Sequence, residues 1–569
     1  MTSIIPGWIL TNAVLRLAGA REKSALRKAS TFPRLAQART LRAILEGAKD
    51  SEWGRKHDFA TILKASSPEE LFSEFRRRNA PTEFEDYRSC VDRMMNGESD
   101  ILFEGKPLLY ATTSGSTGSP KYVPLSRLYL KGIYGRMTRL WMSSFSWAAP
   151  SAFKGKMLTV VGKHSEGQSP DGTTFGSVSS FTTSEASQVV KDMYAVPQQV
   201  YDIEDYAARN YALMRFAIEK DITLWLAPNP STIIELQKNV DEYLDDMIED
   251  IGEGTLSCKF DVPAEIRAAL APRMKPNPAR AFALRALQSQ YDRVLPRYYW
   301  PNLKILSTWK CGNTQIYLKK MAEYFRYDML HRELGYFATE CRAGLVLDDA
   351  LDSMLMPHMH YYEFRREKDL GDPEARFYNL WELKEGERYC PYVTTCSGLY
   401  RYNMNDIVQV GPSFYNTPRV HMVQKVNGIV SITGEKLYEA QFIAAVDKAQ
   451  ESTGMKLSYY TGYVNLQESR YDWYFEFADR KVNQKKAEEF ASVVDANLKA
   501  LNIEYESKRN SFRLKEPAVF LLVPNAFEKF KEIIMNISRR DSSRFKPNVL
   551  AQDEPKHRVI DSLRQRRGK

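Results

Sequence analysis

Residues 110–126 read YATTSGSTGSPKYVPLS. Within them Ser114-Gly115-Ser116-Thr117-Gly118-Ser119-Pro120-Lys121 interrupts the apolar pattern on either side. Gly, Ser and Pro all favour turns, so this run forms no regular element. Such a loop presents hydroxyls and backbone N–H groups in a concave array with a cation at its end, which suits a polyphosphate. The alternative is a Ser/Gly surface turn, the commoner fate of such a cluster. Three later stretches hold further candidate groups. ELGYFATECRAGL puts Thr339 and Glu340 beside an aromatic-bearing strand end, and SGLYRYNMNDIVQV carries Arg401 with Asp406 five residues on. VNGIVSITGEKLYEAQF runs through Gly434-Glu435-Lys436 into a helix start. An acid at a strand end or an Arg in a strand is more often a structural ion pair, so each stretch is ambiguous by itself.

The elements that must position these groups alternate along the chain. Residues 1 to 80 have helical spacing. From about residue 100, apolar runs at 156–162, 221–228, 303–309 and 389–396 read as strands between helical segments. The segment 231–251 reads as a helix capped by Ser231. Strands interleaved with helices predict an α/β architecture. The stretch 162–180 (GKHSEGQSPDGTTFGSVSS) reads as a long polar loop, a rim or lid. Past residue 430 the texture shifts to two alternating strands, a helix, a further strand and another helix, predicting a small separate α+β unit.

Composition narrows the class. The 569 residues carry 80 Lys and Arg against 71 Asp and Glu, a net +9 with the basic residues scattered, which does not support nucleic-acid binding. The tail KHRVIDSLRQRRGK reads as a solvated helix end, with an anion-binding patch as the alternative. No window has the length of uninterrupted apolar sequence that a membrane span needs. SIIPGWILTNAVLRLAGA reads as an amphipathic helix docked on the body, with a peripheral membrane contact as the alternative. The six cysteines lack metal-type spacing and are expected to be free thiols in a reducing cytoplasm. His358 and His360 in PHMHYYEF would share one face of a strand, where a packed or hydrogen-bonded pair is expected, because no further metal ligand is evident.

Taken in order, the Ser/Gly loop and the three later stretches resemble the adenylate-forming superfamily. Within it the chain is most similar to the Gretchen Hagen (auxin-responsive) family of acyl-acid amido synthetases. FEDYRSCVDRMMNGESDIL, WPNLKIL, LMPHMHYYEF, VTTCSGLYRYNMND, NAFEKFKEII and SSRFKPNVL match family segments in the right order. The chain departs from the pattern at Thr-Gly-Ser-Pro-Lys, which is closer to acyl-CoA synthetases, and at Asn405, where the family has glycine. HMVQKVNG has lost the usual arginines and keeps only Lys425.

The resemblance implies a large domain, 1–427, that binds ATP and the acyl acid, and a small mobile domain, 428–569, that carries a catalytic lysine, with a hinge near Lys425 to Gly428. It implies phosphate contacts from Ser114, Gly115, Ser116, Thr117 and Gly118, with Lys121 supporting the loop. Thr339, Arg401 and Lys425 join the ATP-binding set, Glu340 holds Mg²⁺, Tyr336 stacks on adenine and Asp406 accepts the ribose hydroxyls. Lys546 reaches the reacting carboxylate and α-phosphate. Residues 130–180 and the end of the STWKCGN strand would line the acyl pocket. The implied reaction joins a small carboxylic acid to an amine or amino acid, in a cytoplasmic monomer. An acyl-CoA ligase and a non-catalytic nucleotide-binding scaffold are the alternatives.

Overall fold

The computed structural model describes residues 6–113, 121–163, 165–311, 318, 321–370, 372–426, 429–538, 549–552 and 554–565. Its contacts divide the chain into a large unit, 1–112 with 122–424, and a small unit, 113–121 with 425–569.

The large unit is built around two principal sheets. Four strands, Lys156–Thr159, Ile222–Leu226, Ile305–Thr308 and Leu330–Glu333, lie side by side in that order, all parallel. Parallel strands need crossover connections, supplied here by helices such as Tyr206–Ile218 and Pro230–Glu253. Both faces of the sheet are therefore covered, and successive residues serve opposite cores. Leu158, Trp225 and Leu306 pack with those helices, while Met157, Leu224 and Ile305 pack with Leu26, Met137 and Phe145 on the other face.

The second sheet is largely antiparallel. It is ordered Tyr378–Asn379, Tyr361–Arg366, Arg388–Thr394, Asp406–Phe414, Thr417–Lys425, Ser353–Leu355 and Gly344–Leu345, with Tyr402–Asn403 paired to Arg388–Thr394. Its core draws in Leu41, Phe72 and Phe75 from the N-terminal helices and Tyr87 from the turn before Arg88–Met95.

In the small unit, strands Ala518–Leu521, Arg470–Phe477, Leu457–Asn465 and Leu550–Ala551 form a mixed sheet. Tyr471, Trp473, Phe475 and Phe477 pack with helices Glu439–Thr453 and Gln484–Leu501. Tyr474 points the other way, into a second cluster with Phe530 and Ile560. The period-two alternation of RYDWYFEF thus gives a sheet with helices on both faces.

Three local expectations are corrected. The helix over 231–251 runs from Pro230 to Glu253 and is capped by Asn229, whose side chain accepts the Ser231 N–H; Pro230 at the first position lacks the N–H that would otherwise need a partner. Residues 162–180 are not one long loop. Gly167–Gln168 and Thr174–Gly176 pair antiparallel, Thr174–Gly176 adds in parallel to Leu109–Thr113, and a helix begins at Val178. His358 and His360 lie not on a strand but in the turn before Tyr361–Arg366. His360 is fully buried, with Nε2 3.2 Å from the Arg342 carbonyl. All six cysteines are free thiols.

Candidate active site

After Leu330–Glu333 leaves the parallel sheet, the chain turns through Gly335 into a tight hairpin. Gly335 has φ +110°, and a Cβ there would meet the Gly344 carbonyl oxygen at 2.8 Å, so this position requires glycine. Phe337 bridges Arg342, the Ala338 N–H donates to the Cys341 carbonyl at 3.0 Å, and the Ala343 N–H donates to the Tyr336 carbonyl at 3.0 Å. Thr339 and Glu340 therefore form the hairpin's tip. The Trp309 Nε1–H donates to the Gly335 carbonyl at 3.2 Å, tying the hairpin to the STWKCGN strand end.

Asp406 begins the strand Asp406–Phe414 and is buried. The hydroxyl of Tyr336, also buried, donates to its Oδ2 at 2.8 Å. Burial, with the Asp406 charge beside it, pushes the Tyr336 hydroxyl well above the ordinary phenol range, so it stays a donor. Cys341, between these elements, is pushed up in the same way by burial and then by the Glu340 and Asp406 charges. The fold thus assembles Tyr336, Glu340 and Asp406 from two segments of the large unit.

Asn405, the departure from the family's glycine, has φ +53°. Asn is among the few residues with a side chain that adopts the left-handed region readily, so it substitutes for glycine here. Its N–H donates to the Asn403 Oδ1 at 2.9 Å, which fixes the turn entering Asp406. Tyr87, from the FEDYRSCVDRMMNG segment, anchors the same stretch: its hydroxyl accepts the Tyr400 N–H at 2.9 Å and lies 3.0 Å from the Tyr400 carbonyl.

Two residues have different surroundings from those expected. Tyr336, expected to stack on adenine, is buried, with its ring packed in the antiparallel core and its hydroxyl on Asp406. Arg401, placed in the ATP-binding set by the resemblance, is buried and closes an ion pair. Its Nε donates to the Glu363 Oε2 at 2.8 Å and its Nη1 to the Asn79 carbonyl at 2.6 Å. Arg76 takes the other Glu363 oxygen. Arg401 lines, with Arg76, Arg365, Arg376 and Phe377, a separate cleft of about 550 Å³ whose walls include neither Tyr336 nor Asp406.

The loop residues Ser114, Gly115, Ser116, Thr117 and Gly118 lie outside the described residues, as does Lys546. Lys121 opens the strand Lys121–Leu125, next to Leu109–Thr113, so strands flank the loop on both sides. Lys425 closes the strand Thr417–Lys425, and its side chain is outside the described residues. Glu435, in the small unit, is a structural carboxylate: it accepts the Ile432 and Thr433 N–H groups and the Tyr471 hydroxyl.

The sequence reading missed Glu333 and Arg342. The Glu333 carboxylate accepts the N–H groups of Lys310 and Gly335, which fixes the hairpin's entry. Arg342 is buried, with its guanidinium over the rings of Phe337, Trp141 and Tyr134 at 4.0, 5.0 and 5.2 Å. No local pattern marks either residue, since Lys310, Trp141 and Tyr134 reach them only through the fold.

This architecture is the fold of a solved acyl acid amido synthetase. The solved GH3.15 acyl acid amido synthetase matches it with a TM-score of 0.63 at 20% identity, over 95% of this chain and 96% of that one. The chain belongs to the GH3 family. The family's N-terminal domain matches residues 22–330, its central domain 353–425 and its C-terminal domain 440–555. Among curated relatives, the indole-3-acetic acid-amido synthetase GH3.4 of Arabidopsis thaliana is 25% identical over 90% of this chain and 88% of its own length. The jasmonoyl–L-amino acid synthetase JAR4 of Nicotiana attenuata is 23% identical over 67% of this chain and 69% of its own.

Proposed function

We propose that this chain activates a small carboxylic acid with ATP and transfers the acyl group to an amine, such as that of an amino acid. A carboxylate is a poor acyl donor because its leaving group would be oxide. Attack of a carboxylate oxygen on the α-phosphorus of ATP expels pyrophosphate and gives an acyl adenylate. The amine nitrogen then attacks the acyl carbon, AMP leaves, and the amine's proton goes to solvent. The observation that carries this reading is the pairing of Asp406 with Tyr336 beside Glu340, in a chain with the amido synthetase fold.

Each residue's role follows from its chemistry. Asp406, an acceptor held in place by Tyr336, receives the ribose hydroxyls; Tyr336 is a positioning residue. The loop Ser114–Gly118 supplies hydroxyl and N–H donors to the phosphates, supported by Lys121. Thr339 adds a hydroxyl beside Glu340, and Lys425 a cation near the unit boundary. Glu340 suits Mg²⁺, because a hard cation with one protein carboxylate completes its shell with phosphate oxygens and water. The ion would neutralise charge on the phosphates. We assign residues 428–569 to a small domain that brings Lys546 to the reacting carboxylate and α-phosphate, then turns about a hinge near Lys425 to Gly428 to admit the amine. With six free cysteines, a cytoplasmic monomer is the setting we propose.

The test is acid-dependent exchange of pyrophosphate into ATP across a panel of carboxylic acids, with Mg²⁺ and no amine. Each active acid is then offered amines or coenzyme A. Exchange followed by amide formation supports the proposal, and thioester formation instead identifies an acyl-CoA ligase. ATP binding with no exchange on any acid leaves the scaffold reading.

A further inference from the structure

The first helix, Gly7–Thr31, turns apolar side chains to solvent along its N-terminal half. Its buried positions are Asn12, Gly19, Glu22, Leu26, Ala29 and Ser30. The opposite, solvent face carries Leu10, Val14 and Leu17, exposed by 63%, 57% and 79%, with Ile9 beside them at 42%. Ala13 and Ala20 are exposed on the same face. At about 100° per residue these six side chains fall within one sector of roughly 140°. Continued by two turns, the same sector holds exposed Arg21, Arg27 and Lys28. Between residues 6 and 31 the only acid is Glu22, which is buried and paired with Arg136 at 2.8 Å. Trp147, 59% exposed, stands beside the helix with the Arg16 guanidinium 4.3 Å from its ring centre.

From this juxtaposition we infer that the outward face of the first helix docks on the surface of an anionic lipid bilayer. An apolar stripe of this size on the water side of a helix marks an interaction surface. Its continuation into cations, with a tryptophan at the side, matches the boundary between acyl chains and headgroups, which accepts both halves at once. A second copy of the chain fits poorly. Antiparallel pairing of two such stripes would lay the apolar half of one on Arg21, Arg27 and Lys28 of the other, and no carboxylate on the face could receive them. Parallel pairing would set the cations against each other. The helix lies on the surface and does not span, since no described helix is long and apolar enough to cross a membrane.

The full chain is floated with vesicles of phosphatidylcholine alone and with vesicles that also contain phosphatidylserine. Binding is expected on the second and is expected to weaken with added salt. The variant Leu10→Glu/Val14→Glu/Leu17→Glu should lose it. Arg21→Gln/Arg27→Gln/Lys28→Gln, which changes only solvent-facing polar groups and keeps the fold, should weaken it about fivefold per charge removed. The inference is overturned by absence of flotation, by equal flotation on both vesicle types, or by binding that survives both triple substitutions. Sedimentation showing a dimer that the glutamate variant splits into monomers would assign the face to a second copy instead.

Discussion

The Tyr336 hydroxyl and the Asp406 carboxylate, 70 positions apart in sequence, meet at 2.8 Å in the core of the large unit. One residue belongs to the hairpin that follows the parallel sheet and the other to the antiparallel sheet, so the bond couples the carboxylate proposed for ribose to the hairpin that carries Glu340. Asp406 is therefore both a proposed ligand contact and part of the ligand-free fold.

Asp406→Ala is expected to raise the KM for ATP strongly, because it removes acceptor bonds of roughly 1.5–3 kcal/mol each. It should also lower ligand-free stability by about 1–3 kcal/mol, since the buried Tyr336 hydroxyl loses its acceptor. In a Tyr336→Phe background the stability cost should shrink while the ATP effect persists. Denaturant melts and ATP titrations of the four proteins check this; an unchanged stability cost in the Phe background would remove the coupling.

Asn405 tests the backbone. Asn405→Gly should keep both stability and ATP affinity, since glycine adopts φ +53° without strain. Asn405→Val should cost roughly 1–2 kcal/mol and raise the KM for ATP by displacing Asp406. Equal behaviour of the two variants would show that the left-handed turn is unimportant.

Arg401→Met should destabilise by roughly 3–5 kcal/mol, because Glu363 keeps a buried charge with one partner fewer. The variant protein that remains folded should bind ATP with wild-type affinity. A stable protein with weakened ATP binding would return Arg401 to the nucleotide site.

Lys546→Ala should slow adenylate formation by orders of magnitude, as a charge contact made mainly in the transition state is lost. Amide formation from a chemically supplied acyl adenylate should survive. Equal loss in both half-reactions would contradict a lysine used in one orientation only.

His331, His358 and His360 are each lowered by burial to about 4. Their folded forms are neutral, whereas in the unfolded chain they take up protons below about pH 6.5. Protonation thus favours the unfolded chain, and stability should fall from about pH 6.5 downward and level off near pH 4, by roughly 2 kcal/mol per histidine at pH 5. Melting temperatures of the wild type and of His358→Gln/His360→Gln across that range check this; the variant should show a shallower decline.

Much of the architecture is written locally. The apolar runs at 222–226 and 305–308, the alternation in RYDWYFEF and Asn483, whose side chain caps the helix Gln484–Leu501, specify their elements through short-range periodicity and capping, which need no tertiary partner. Residue order likewise supplied the family, and with it Glu340 and Asp406 as candidates. What only the tertiary structure decided was which polar groups are already engaged. Arg401 and Asp406 stand five residues apart in one stretch, yet one closes a buried ion pair with Glu363 and the other accepts from Tyr336 near Glu340. Their partners come from segments distant in the chain, and burial decides whether a charge is consumed by the fold or held for a ligand. The outward apolar face of the first helix is of the same kind. Its periodicity is legible, but which side faces water was fixed by what the rest of the large unit packs against it.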